Sequence, residues 1–107
     1  MRIAQPTFIA SEELLWLKAD GSEVKVIARV GIPYKDEEEI YRCPAELVGV
    51  DPRYPDVPGE GPMQALCLAT KLLSTRLMHL LEEGERLAYV EDRSKWDARS
   101  LEAIFGR

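Results

Sequence analysis

The amino-acid sequence predicts an α+β fold in which an antiparallel sheet of three to four strands is packed by one long α-helix, with a short helix at the C-terminal end. Three observations carry this expectation. Two apolar-rich stretches flank Ala19-Asp20-Gly21-Ser22, and Asp-Gly is the favoured pair for a two-residue hairpin turn. Residues 62–83 carry apolar side chains around most of a helical wheel, with Pro62 at the first helical position and Gly84 just past the end. The chain has 107 residues, 46% of them apolar and 31% charged. A chain of that size buries roughly two-thirds of its unfolded surface, which suffices for one core and not for two, so residues 1–107 are read as one domain.

Residues 1–10 precede the first clear pattern and are expected to be loosely ordered. From Leu14 to Ile32 the chain reads as a hairpin. With Asp20 and Gly21 as the loop, Lys18 faces Glu23, Trp16 faces Lys25, Leu14 faces Ile27 and Glu12 faces Arg29, so that two cross-strand pairs carry opposite charges. That register puts Leu15, Leu17, Val24, Val26, Ala28 and Val30 on the core face. It leaves Leu14, Trp16 and Ile27 as an apolar island in a charged surround on the other face.

Gly31 to Glu39 reads as a loop with the acidic run Asp36-Glu37-Glu38-Glu39. A third strand follows over residues 40–48, with Tyr41, Cys43, Ala45 and Leu47 on its apolar face. Pro44 has no N–H to give a ladder, which puts that strand at a sheet edge or gives it a bulge. Residues 50–61, rich in proline and glycine, read as a long irregular connection. The helix over 62–83 shows a narrow polar stripe of Gln64, Cys67, Lys71, Ser74 and Glu82. Residues 87–90 suit a short fourth strand. Ser94-Lys95-Trp96-Asp97 then resembles a capping box opening a helix within 92–107, with Ala98, Leu101, Ile104 and Phe105 on one face. That face is expected either to cover the island around Trp16 or to meet another chain.

Short motifs in Val24–Leu81 support a family resemblance. Val24 and Val26 precede Gly31 and Pro33, Arg42-Cys43-Pro44 opens the third strand, and Met63-Gln64-Ala65-Leu66 precedes Leu68-Ala69 on the helix. On these residues the chain resembles a family of small bacterial proteins known as a domain of unknown function. The resemblance covers a little over half of the chain and implies no activity, cofactor or site residue. The segment from Trp96 to Phe105 departs from the family pattern.

Composition narrows the function classes. The net charge is −5, with twelve acids against seven bases in residues 1–60 and seven of each afterwards. No Lys/Arg cluster offers the footprint that binds phosphate backbones, so nucleic acid is not an expected partner. No apolar run approaches the ~18 residues of a membrane span, which leaves membranes aside and makes the cytoplasm the expected compartment. One histidine and the scattered Cys43 and Cys67 do not make a metal site or a disulfide scaffold. The acidic run lacks the spacing of a calcium loop, and Gly59-Glu60-Gly61 lacks the rest of a phosphate-binding signature. No cofactor is implied.

The expected function is therefore that of a non-enzymatic protein-binding or accessory module with a protein partner, possessing basic character to complement the acidic first half. Aromatic anchors within a polar rim are typical of binding hot spots, so the candidate interface is Leu14, Trp16 and Ile27, joined by Trp96, Leu101 and Phe105 from the C-terminal segment. Two alternatives stand beside it. One is a small-molecule binder or minor enzyme using Cys43 in the cleft between sheet and helix. The other is self-association as a structural homodimer, through the Pro44 strand edge or the Trp96 helix.

Overall fold

A computed structural model describes residues 1–106 as an α+β protein with two helices, a five-stranded sheet and a three-stranded sheet. In chain order the elements are β1 (Phe8–Leu17), β2 (Glu23–Gly31), β3 (Tyr34–Lys35), β4 (Tyr41–Cys43), β5 (Ala45–Val48), β6 (Val57–Gly59), α1 (Pro62–Glu82), β7 (Arg86–Tyr89), β8 (Lys95–Trp96) and α2 (Ala98–Phe105). The larger sheet runs β5-β2-β1-β7-β8 and the smaller β3-β4-β6, with every pairing antiparallel. Val26, Ala28, Val30, Ala45 and Leu47 of the larger sheet meet Ala65, Ala69, Leu73, Leu77 and Leu80 of α1 in one core.

The hairpin forms in a register one residue away from the expected one. Gly21 donates its N–H to the Lys18 carbonyl at 3.0 Å and Lys18 donates to the Ser22 carbonyl at 2.9 Å, which encloses the three residues Ala19, Asp20 and Gly21. Gly21 takes φ +89°, the left-handed residue that closes a three-residue loop, while the Asp20 carboxylate accepts both the N–H and the hydroxyl of Ser22. Leu14 now lies opposite Val26, Trp16 opposite Val24 and Glu12 opposite Ala28. A one-residue slip moves a whole strand to the other face. Leu14 and Trp16 consequently turn toward the core side, whereas Leu15 and Leu17 join Ile27 on the side away from the helices. The charge pairs rearrange accordingly: Lys25 meets Glu13 at 3.2 Å and Arg29 meets Glu46 of β5 at 2.6 Å.

The third strand of the sequence reading is two strands. Pro44, fully buried, separates β4, the central strand of the smaller sheet, from β5, an edge strand of the larger one, so the expected edge position holds for the β5 part alone. Two further short strands interrupt stretches read as loops. β3 closes on β4 through Asp36, whose carboxylate accepts the N–H groups of Glu38 and Ile40 and pairs with Arg42 at 2.6 Å. β6 lies so close to the first turn of α1 that a Cβ on Gly59 would stand 2.5 Å from the Ala65 nitrogen. The start of the chain is tied down as well, because Asp56, buried, accepts the Ile3 N–H at 2.8 Å and the Tyr34 hydroxyl at 2.6 Å.

α1 lies within the expected bounds, ending at Glu82, and Gly84 with φ +85° follows its C-cap Glu83. The C-terminal helix starts later than expected. Asp97, not Ser94, is its N-cap, with its carboxylate accepting the Arg99 and Ser100 N–H groups and the Ser100 hydroxyl accepting the Asp97 N–H. Both residues are good cappers, and the choice falls to Asp97 because Trp96 is needed one step earlier, paired with Leu87 on β7 and buried in the core.

Candidate partner-binding edge

The six residues expected to form an interface do not form an exposed surface: Leu14, Trp96 and Leu101 belong to one core, Trp16 and Phe105 pack against it, and Ile27 stands apart. Leu14, Trp96 and Leu101 are buried in the core with 1%, 1% and 6% exposure. Trp16 is half-buried, with its indole N–H donated to Glu85 Oε1 at 3.0 Å and Lys18 Nζ 4.4 Å from its ring centroid. Ile27 is on the opposite face of the sheet from Leu14 and Trp16, so the island of the expected register is not present. Phe105, half-buried at the end of α2, lies near β1, where it helps to line a groove with Ala10 and Glu12. Helix α2 packs against α1 and β8 and adds Leu101 to the core.

Cys43 is fully buried and donates its thiol to the Gly31 carbonyl at 3.4 Å. Burial, followed by the nearby negative charge of Asp56, pushes this thiol up to about 11, so it stays protonated at neutral pH and is a poor nucleophile. His79 is exposed on α1. A cleft of about 570 Å³ at the β7–β8 end is lined by residues that include neither Cys43 nor His79. Among the described residues no three His, Cys, Asp or Glu side chains gather as a metal ion would require.

The longest strand carries a feature that its residues alone do not reveal. β1 spans ten residues, and β2 pairs with it along nearly its whole length, but β7 pairs only with Leu14–Leu17. On that side the first half of β1 has no neighbouring strand among the described residues. The Lys18 N–H points to β2, and backbone groups alternate sides along a strand, so Trp16, Leu14 and Glu12 also bond to β2. Leu15 and Leu17 point to β7. Ser11 and Glu13 point the same way, into space where β7 has ended.

Exposure follows the pairing. Ile9, Ala10, Ser11, Glu12 and Glu13 are all exposed, five in succession, where a strand with a covered face would alternate. A register shift at Ile9 twists the strand at its outer end. The Glu13 carboxylate is engaged by Lys25, whereas the Glu12 carboxylate has no ion pair or hydrogen bond among the described residues. Behind the edge lies a groove of about 170 Å³ whose lining includes Leu73 of α1 and Ile104 and Phe105 of α2. The signal for this edge lies in the difference in length between β1 and β7, ten residues against four.

No protein family, no curated protein and no solved structure matches this chain.

Proposed function

We propose that the chain is a non-enzymatic protein-binding module that takes an extended segment of a partner protein as a further strand on the free edge of β1. The single observation carrying this reading is the run Ile9–Glu13, exposed throughout and unpaired on one side while the other side is fixed in a sheet. A strand edge of this kind offers main-chain donors and acceptors at fixed spacing, the basis of recognition by strand addition. Glu12 and Glu13 favour a partner with basic side chains and disfavour polyanions. No helix of the described residues is long and apolar enough to cross a membrane, and the two unpaired cysteines suit the reducing cytoplasm in which we place the module.

The test is capture of partners from a lysate of the source organism on the wild-type protein and on Ser11→Pro. Proline at position 11 removes an N–H that the β1–β2 ladder does not use, so the fold is expected to survive while the edge loses its donor. A specific partner retained by wild type and lost by the folded variant supports the reading. A partner retained equally by both contradicts it. A second copy of the chain is the other reading that the edge favours. Antiparallel pairing about Ser11 sets Glu12 opposite Ala10 and Glu13 opposite Ile9, with no like charges face to face. Light scattering over a range of concentrations identifies that case.

A further inference from the structure

We infer that the groove behind the β1 edge is a side-chain pocket for lysine or arginine, so that the partner segment carries a basic residue at the position facing Ala10 and Glu12. This inference rests on the proposal that the edge accepts a strand, and it names the chemistry of the segment. At about 170 Å³ the groove is well short of the roughly 300 Å³ at which small-molecule pockets begin, and is suited to one side chain. Its floor is apolar, formed by Ala28, Val30 and Leu73, all buried, with Ile104 and Phe105 beside them.

Among the described residues, one negative charge lines this groove. Glu12 lines it, lies opposite Ala28 and thus on the face of the sheet that forms the floor, and its carboxylate has no partner among the described residues. The other charged residue lining it, Arg29, directs its guanidinium to Glu46 at 2.6 Å and over the Phe8 ring at 4.0 Å, so its charge is already matched. An apolar floor with an unpaired carboxylate suits a side chain with a hydrocarbon stem and a cationic head. The stem covers Leu73, and the head reaches Glu12 and the Phe105 ring. Strand geometry delivers it: a residue of the incoming strand opposite Ser11 projects away from the helices, and its neighbour opposite Ala10 or Glu12 projects into the groove.

The experiment is selection of binders from a displayed library of random eight-residue peptides on the wild-type protein. Affinities of the selected peptides are then measured for wild type and Glu12→Gln, with and without N-methylation of alternate peptide amides. Position 12 is exposed, so Glu12→Gln is expected to keep the wild-type unfolding midpoint. The inference expects selected peptides to share a Lys or Arg flanked by extended, β-prone residues, and to bind Glu12→Gln about five-fold more weakly, the scale of one partly exposed charge pair. Peptides with no basic preference, or bound equally by both proteins, overturn the pocket and leave strand addition standing. The absence of any selected peptide, or binding indifferent to N-methylation, overturns strand addition and the pocket with it.

Discussion

The two halves of β1 belong to one strand and share one partner, β2, yet they live in different environments. Leu14–Leu17 lie between β2 and β7, with Leu14 buried against Val26. Ile9–Glu13 have β2 on one side, no strand on the other among the described residues, and five successive exposed side chains. Burial in a strand is thus decided by how far the neighbours extend as much as by the residues themselves. The closed half supplies the core, and the open half keeps its backbone groups available.

Burial also separates the two thiols, on β4 and α1, and gives the largest expected effect. Cys43, raised to about 11 chiefly by burial, is about one part in a thousand thiolate at pH 8, before steric protection is counted. Cys67 is exposed on α1. Thiol labelling of the native protein is expected to modify Cys67 promptly and Cys43 only at the rate of unfolding. Prompt labelling of both would show that the core opens readily. Within β1, Leu14→Ala is expected to cost about 2–5 kcal/mol, measured by urea unfolding, because it leaves a cavity between sheet and helix. A loss below 1 kcal/mol would place Leu14 outside the closed half.

The register that divides the strand is open to a more direct challenge. Deleting Ala19 converts the three-residue loop into a two-residue Asp-Gly loop that still sets Lys18 opposite Ser22 and Leu14 opposite Val26. Since Asp-Gly favours a two-residue hairpin turn, the deletion is expected to change stability by no more than about 1 kcal/mol. A collapse of the fold would show that the loop rather than the core holds the register. The smallest effect belongs to the open half, where Glu12→Gln is expected to shift stability by less than about 0.5 kcal/mol, as exposed positions do. A larger loss would mean that Glu12 supports the fold.

Much of the architecture was legible. Helix α1 announced itself through Pro62, Gly84 and its apolar face, and the hairpin through its Asp-Gly turn, whereas the edge position expected from Pro44 holds for β5 and not for β4. The register was not, because Leu14-Leu15-Trp16-Leu17 is apolar at four successive positions and satisfies period two in either frame. The turn residues fit a two-residue loop or the last two places of a three-residue one, and the buried pairing of Leu14 with Val26 distinguishes them only in three dimensions. β8 and the start of α2 were obscured by two competing caps, Ser94 and Asp97. Of the six expected interface residues, Phe105 still lines the proposed surface. The edge itself was out of reach, since it depends on where β7 stops beside β1.

Native-state hydrogen exchange along β1, resolved amide by amide by NMR, tests the central claim most directly. An open edge predicts alternation in the first half and continuity in the second: Ser11 and Glu13 exchange freely, Glu12 and Leu14 are protected by β2, and Leu15 and Leu17 are protected by β7. Protection of Ser11 and Glu13 equal to that of Leu15 would mean that the edge is already covered, and the proposed binding surface would not exist.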